Sequence, residues 1–288
     1  MTLQIRRMSH ALGAEVIGVN FSKPLDDKSF AEINGAFLEH HVLVFRGQCI
    51  TREQHVAFSR RFGNLDKNEE SAADRKPQGF PELLMVVSKP KPNGEAATGR
   101  FSGQVWHTDH SHRPAAAAAS LLRSVDVPKV GGDTMFCNMY KAYETLSDGM
   151  KKLLEGLDGV HMESVVLDYS TPERYAESRR RNPSTAHPLV RVHPETGRKA
   201  LYVNEQVKTI VGLTADESKP LIQFLTQHAI RPQNVYRHHW QKDDMVMWDN
   251  RCLLHIALGD YDRTQVRHME RTTVNGVVSG YAYDGPVE

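Results

Sequence analysis

Val105-Trp106-His107-Thr108-Asp109 is the stretch from which the rest of the chain can be read. In an extended segment, residues two apart point to the same side, so His107 and Asp109 can grip one ion together. His255, far downstream, offers a third ligand. Two imidazoles and one carboxylate on one face of a divalent first-row metal leave the opposite face open for chemistry. The pair alone is a weak signal, because four His-x-acid pairs occur, at His107, His161, His193 and His268. Its surroundings strengthen it: Val105, Trp106 and Thr108 suit a strand, and the apolar run from Ala115 to Leu122 suits a buried one.

Upstream, Leu3 to Val19 reads as a short hairpin followed by a turn at Asn20-Phe21-Ser22-Lys23-Pro24. Phe30, Ile33, Phe37 and Leu38 recur at helical spacing and lead into the strand-like His41-Val42-Leu43-Val44-Phe45. Thr51-Arg52-Glu53-Gln54 has capping-box form and predicts a helix carrying Val56, Phe58 and Phe62. From Asn64 to Gly103 the chain turns polar, and reads either as a mobile lid beside His107 or as a solvated loop.

Downstream, Gly131-Gly132-Asp133-Thr134 is a turn feeding a strand, followed by a helix around Leu146 to Leu157. Residues 168–187, with Arg179-Arg180-Arg181, carry no apolar periodicity and read as a solvated excursion. Pro194-Glu195-Thr196-Gly197 is a hairpin turn between two strands. A second capping box, Thr214-Ala215-Asp216-Glu217, opens a helix reaching about His228. Strand-like segments at Val235 to Trp240, Met245 to Trp248, Leu253 to Leu258 and His268 to Asn275 complete the pattern. The fold class is α+β with a mainly β core, expected to be one domain over 1–288, because no linker-like stretch divides it.

A formal charge of +1 over 288 residues gives no global pull toward nucleic acid or an anionic membrane. Cys49, Cys137 and Cys252 are odd in number and lack a C-x-x-C pair, so neither a disulfide framework nor a zinc knuckle is indicated. No apolar run approaches spanning length, and Gly13, Glu15 and Gly18 fall where a secretory core would lie. These features predict a cytoplasmic protein.

Four motifs then carry a family resemblance. Trp106-His107-Thr108-Asp109, Gly131-Gly132-Asp133-Thr134, Met247-Trp248-Asp249-Asn250-Arg251 through His255, and Arg267 through Arg271-Thr272-Thr273 resemble, in this order, the taurine and 2,4-dichlorophenoxyacetate dioxygenases. That resemblance implies a double-stranded β-helix (jelly roll, cupin-like) with flanking helices. It also implies Fe(II) held by His107, Asp109 and His255, with 2-oxoglutarate and dioxygen as cosubstrates. Arg267 would take the far carboxylate of 2-oxoglutarate through two parallel hydrogen bonds, with the Thr134 hydroxyl as a further donor. Arg271, four residues on and on the same side of an extended strand, would face an anionic group of the substrate. Homo-oligomers, dimers or tetramers, are expected by the same likeness.

The likeness has limits that bear on the substrate. Where taurine dioxygenases carry a histidine contacting the sulfonate, this chain has Asn68, which disfavours taurine itself and by its place is a candidate substrate contact. Strand alternation would send His110 to the face opposite His107, and Trp240 and Trp248 suit the core. The expected substrate is a small aryloxyalkanoate or related carboxylate, cleaved oxidatively at its ether to release succinate and CO2. An alkylsulfonate or sulfate ester is the alternative. A cupin-type metal protein that does not use 2-oxoglutarate is a more distant one, distinguished by having no need for Arg267 with Thr134.

Overall fold

A computed structural model describes residues 3–69, 71–97, 103–163, 171–181 and 183–287. The largest sheet has seven strands in the spatial order Gln4–Arg7, Ala14–Ile17, Val42–Phe45, Met245–Asp249, Ala117–Asp126, Arg267–Asn275 and Leu84–Ser88. All neighbours are antiparallel except Ala14–Ile17 with Val42–Phe45. A three-stranded sheet (Val235–His238, Thr134–Asn138, Leu253–Ala257) and a four-stranded one (Val207–Ile210, Asp158–His161, Ser184–Pro188, Tyr281–Tyr283) accompany it.

The near-continuous apolar run of Val42–Phe45 follows from burial on both faces of the large sheet. Leu43, Phe45, Leu121, Met245 and Met247 pack on one face against Ile33 and Phe37 of the helix Asp27–His40 and Val56 and Phe58 of the helix Arg52–Ser59. Val42, Val44, Leu122, Val246, Trp248 and Met269 alternate to the other face, where Phe136, Tyr236 and Leu253 of the three-stranded sheet meet them. That second interface places the strand bearing His255 opposite the strands bearing Ser120 and Arg271.

Both capping boxes form. Thr51 Oγ1 accepts from the Gln54 backbone N–H at 3.3 Å while Gln54 Oε1 accepts from that of Thr51 at 2.9 Å. Thr214 and Glu217 reciprocate in the same way at the start of Ala215–Ala229. The hairpin expected at residues 194–197 joins Val190–Val192 to Lys199–Leu201.

The helix read around Leu146 to Leu157 is Asp148–Leu154, capped by Ser147, and a further short helix, Met139–Glu144, precedes it where the sequence reading placed none. Two expectations need correction. The polar stretch from Asn64 to Gly103 contains the edge strand Leu84–Ser88, which pairs with Arg267–Arg271 and buries Leu83 and Leu84. The excursion at 168–187 contains the helix Pro172–Arg181 and the strand Ser184–Pro188. Residues 70, 98–102, 168–170 and 182 of these two segments lie outside the described residues. Among the described residues, no helix is long and apolar enough to cross a membrane.

Candidate active site

His255 is the middle residue of Leu253–Ala257, and a single antiparallel bridge ties His107 to it, with N–H to O distances of 3.1 and 2.8 Å. The expected strand through His107 reduces to that one bridge. The chain turns immediately afterwards, with His110 in the left-handed region at φ 56°. His107, Asp109 and His255 nevertheless converge as the spacing predicts, their ligand atoms all within 4.8 Å of one another. Nε2 of His107 is 3.9 Å from one Asp109 oxygen and Nε2 of His255 is 3.8 Å from the other.

Each ligand is held differently. His107 donates from Nδ1 to the Val105 carbonyl at 2.7 Å, which fixes the tautomer and leaves the Nε2 lone pair for a metal. Among the described residues His255 has no partner for Nδ1, and its ring packs between Trp248 and Phe136, with ring centroids 4.8 and 6.2 Å away. Asp109 accepts from Ser120 Oγ at 2.6 Å on Oδ2 and from Arg271 at 2.6 Å on Oδ1. Behind it, Asn250 Oδ1 accepts from the Asp109 backbone N–H and from the Trp248 indole, while Asn250 Nδ2 donates to Ser120 Oγ. Trp248 is thus a core residue as the sequence suggests, and Asn250 supports Asp109; the part played by Ser120 was missed, since a serine within a buried strand carries no signal of its own.

The electrostatics favour the forms that bind metal. Burial opposes ionisation of Asp109, but Arg271 and the two histidines more than offset it and hold the carboxyl well below its usual range. Burial, then the neighbouring His107, pushes His255 well below the ordinary imidazole value and keeps it neutral. The donor set of two imidazoles and one carboxylate fits Fe(II).

His107 and Asp109 line a cavity of about 470 Å³ whose wall combines apolar Leu84 and Val86 with Arg75, Arg113 and Arg271. His110 lines the same cavity, contrary to the alternation argument, because the chain leaves the extended conformation before reaching it. Burial, with Arg271 and Arg113 nearby, lowers its pKa to about 4. Asn68 also lines this cavity, but its Nδ2 donates to the Pro81 carbonyl at 3.0 Å, leaving an acceptor oxygen.

Arg267 lies on a second cavity, of about 810 Å³, that shares Arg75 and Val86 with the first. Its Nε donates to the Gly132 carbonyl at 3.0 Å, and among the described residues no carboxylate pairs with this buried guanidinium. Gly132 sits at φ 70°, and a Cβ there would come within 3.4 Å of the Arg267 side chain. Thr134, two residues on, lines neither cavity; its hydroxyl accepts from the Trp240 indole at 3.0 Å and keeps its own proton to donate.

Comparison with known proteins agrees with this geometry. The family described as Taurine catabolism dioxygenase TauD, TfdA family matches residues 4–273. The chain belongs to that family. It is 35% identical to the (S)-phenoxypropionate/alpha-ketoglutarate-dioxygenase of Sphingobium herbicidovorans, over 94% of each chain. It is 33% identical to an alpha-ketoglutarate-dependent sulfate ester dioxygenase of Pseudomonas putida, over 96% of this chain and 91% of that one. Among solved structures, AAD-2 in complex with Mn(II) and N-oxalylglycine superposes with a TM-score of 0.82 at 32% identity, covering 96% of this chain and 98% of that one. The protein is therefore an oxidoreductase, a 2-oxoglutarate-dependent dioxygenase, and the cupin-type reading without 2-oxoglutarate is set aside.

Proposed function

We propose that the protein hydroxylates a small aryloxyalkanoate at the carbon bearing the ether oxygen, so that the product falls apart to a phenol and an oxo acid. The carrying observation is that His107 and Asp109, which converge with His255, line a cavity that sets the apolar wall of Leu84 and Val86 beside Arg271. An apolar ring and a carboxylate on one small molecule match that combination. The likeness to a phenoxypropionate dioxygenase supports the same choice.

In this reading the sheets form a double-stranded β-helix, and Nε2 of His107, Nε2 of His255 and the Asp109 carboxylate hold Fe(II). Bound iron, with 2-oxoglutarate and dioxygen, supplies the oxidising power that hydroxylates the substrate while 2-oxoglutarate becomes succinate and CO2. Arg267 receives the far carboxylate of 2-oxoglutarate; a buried guanidinium without an acidic partner is suited to a bidentate anion. Thr134 adds its hydroxyl proton, which the Trp240 indole leaves available. Arg271 bridges the two halves of the site: NH1 holds Asp109, and its remaining N–H groups, including an Nε without a partner, receive the substrate carboxylate. Asn68 lines the cavity and gives one of its two Nδ2 hydrogens to Pro81, which leaves the other for the substrate.

A sulfate ester is the second reading, favoured by the Pseudomonas putida relative. Succinate formation across aryloxyacetates, aryloxypropionates, alkylsulfonates and sulfate esters separates the two. Stimulation by aryloxy carboxylates that is lost in Arg271→Ala is the expected result; stimulation by sulfate esters or sulfonates alone would overturn the assignment to a carboxylate.

A further inference from the structure

Away from the iron ligands, four buried side chains form a polar cluster that the reaction does not use. His161 ends Asp158–His161, His187 lies on Ser184–Pro188, Arg191 lies on Val190–Val192 and Tyr202 follows Lys199–Leu201. The rings of His161, His187 and Tyr202 make a triangle with centroids 5.1 to 5.4 Å apart, and the Arg191 guanidinium is 4.9 Å from the Tyr202 ring centre. None of the four is more than 4% exposed. Among the described residues, no carboxylate pairs with Arg191, and its NH1, the Tyr202 hydroxyl and both ring nitrogens of His161 have no hydrogen-bond partner. A buried guanidinium left in that state costs several kcal/mol.

The chemistry of the unpaired atoms identifies what would satisfy them. Arg191 NH1 can only donate, the Tyr202 hydroxyl can donate, and His161, kept neutral by burial and by His187 and Arg191 beside it, has one N–H to give and one ring lone pair to receive. Two residues after Tyr202, Asn204 has its Oδ1 fixed by the Gln206 backbone N–H at 2.7 Å, so its unpaired Nδ2 is again a donor. A water molecule could take these donors and give a hydrogen to the free ring nitrogen of His161, but it leaves the guanidinium charge unbalanced, whereas a small anion takes the donors and balances that charge.

We propose that Arg191, Tyr202 and His161 bind one monovalent anion of halide size. The ion would lie behind the loop that follows Asp109, because His187 donates from Nε2 to the Ser111 and Arg113 carbonyls at 3.0 and 3.2 Å, and Thr185 Oγ1 donates to the His112 carbonyl at 2.6 Å.

Bromide soaked into crystals of the intact protein tests this directly. The expected result is one anomalous peak within hydrogen-bonding distance of Arg191 NH1, absent in Arg191→Met. In solution, sodium chloride should raise the melting temperature more than sodium sulfate at equal ionic strength. Tyr202→Phe, which keeps the ring, should raise the half-saturating halide concentration several-fold. Density for water without anomalous signal, equal responses to chloride and sulfate, or an unshifted midpoint in Tyr202→Phe would each overturn the assignment.

Discussion

Arg271 donates to Oδ1 of Asp109 at 2.6 Å, so the arginine expected to face the substrate also holds the carboxylate expected to face the metal. Substrate arrival and the state of the metal ligand thus share one guanidinium. The opposite oxygen of Asp109 is held by Ser120, which Asn250 positions in turn.

Ser120→Ala leaves the three ligands in place and removes the Oδ2 hydrogen bond together with the one that Ser120 accepts from Asn250. Loss of such a supporting partner weakens metal binding about 10- to 100-fold. Titration with Fe(II), or with Mn(II) as a redox-stable probe, should show that loss with the fold intact. Unchanged affinity would mean that Arg271 alone suffices to orient Asp109.

Arg267→Ala removes a charge-assisted anchor of about 1.5–3 kcal/mol, so 2-oxoglutarate affinity should fall about 10- to 100-fold with metal affinity unchanged. Gly132→Ala should act the same way but more weakly, since its Cβ would press on the Arg267 side chain and strain a φ of 70°. Equilibrium binding of N-oxalylglycine to the metal-loaded variants checks both.

Asp249 lies outside the chemistry but is fully buried, accepting from Arg251 at three atoms and from His193 Nε2 at 3.0 Å. His193 Nδ1 in turn accepts from the Glu195 and Thr196 backbone N–H groups, so Nε2 carries the proton and this cluster is a structural tie rather than a second metal site. Asp249→Asn should destabilise the protein by about 3–5 kcal/mol in urea denaturation, as expected when one partner of a buried pair is removed. A change under about 1 kcal/mol, the value of an exposed pair, would contradict it.

Buried histidines set the acid response. Burial lowers His55 to about 3 and His41 to about 4, against an ordinary value of 6.5, so each is neutral in the fold and charged more readily in the unfolded chain. Their stabilising effect is complete above pH 6.5 and declines as the pH falls toward 4 and 3. Asp249, held below its ordinary value of 3.8 by Arg251 and His193 despite burial, adds a further loss only below that pH. Urea midpoints should fall between pH 6.5 and 4, and His55→Gln should flatten that slope.

The legible parts of the sequence were those where local pattern and tertiary demand coincide. Thr51 and Thr214 announce their helices because the capping side chains lie within four residues of each other, and Val42–Phe45 reads as a buried strand because both its faces are covered. Leu84–Ser88 was hidden by the polar residues around it, since an edge strand pairs on one side only and needs little apolar signal. The ligands followed from type and spacing together with the family likeness. His110 did not, because strand alternation fails at a left-handed residue, and Asn250 reaches Ser120 and Asp109 from 130 and 141 positions away.

The most direct measurement is the yield of succinate against phenol when the iron-loaded protein turns over 2-oxoglutarate with each enantiomer of 2-phenoxypropionate. The account predicts equal amounts of the two products with at least one enantiomer, and neither product in His255→Ala. Succinate without phenol, or phenol formed independently of 2-oxoglutarate, would contradict it.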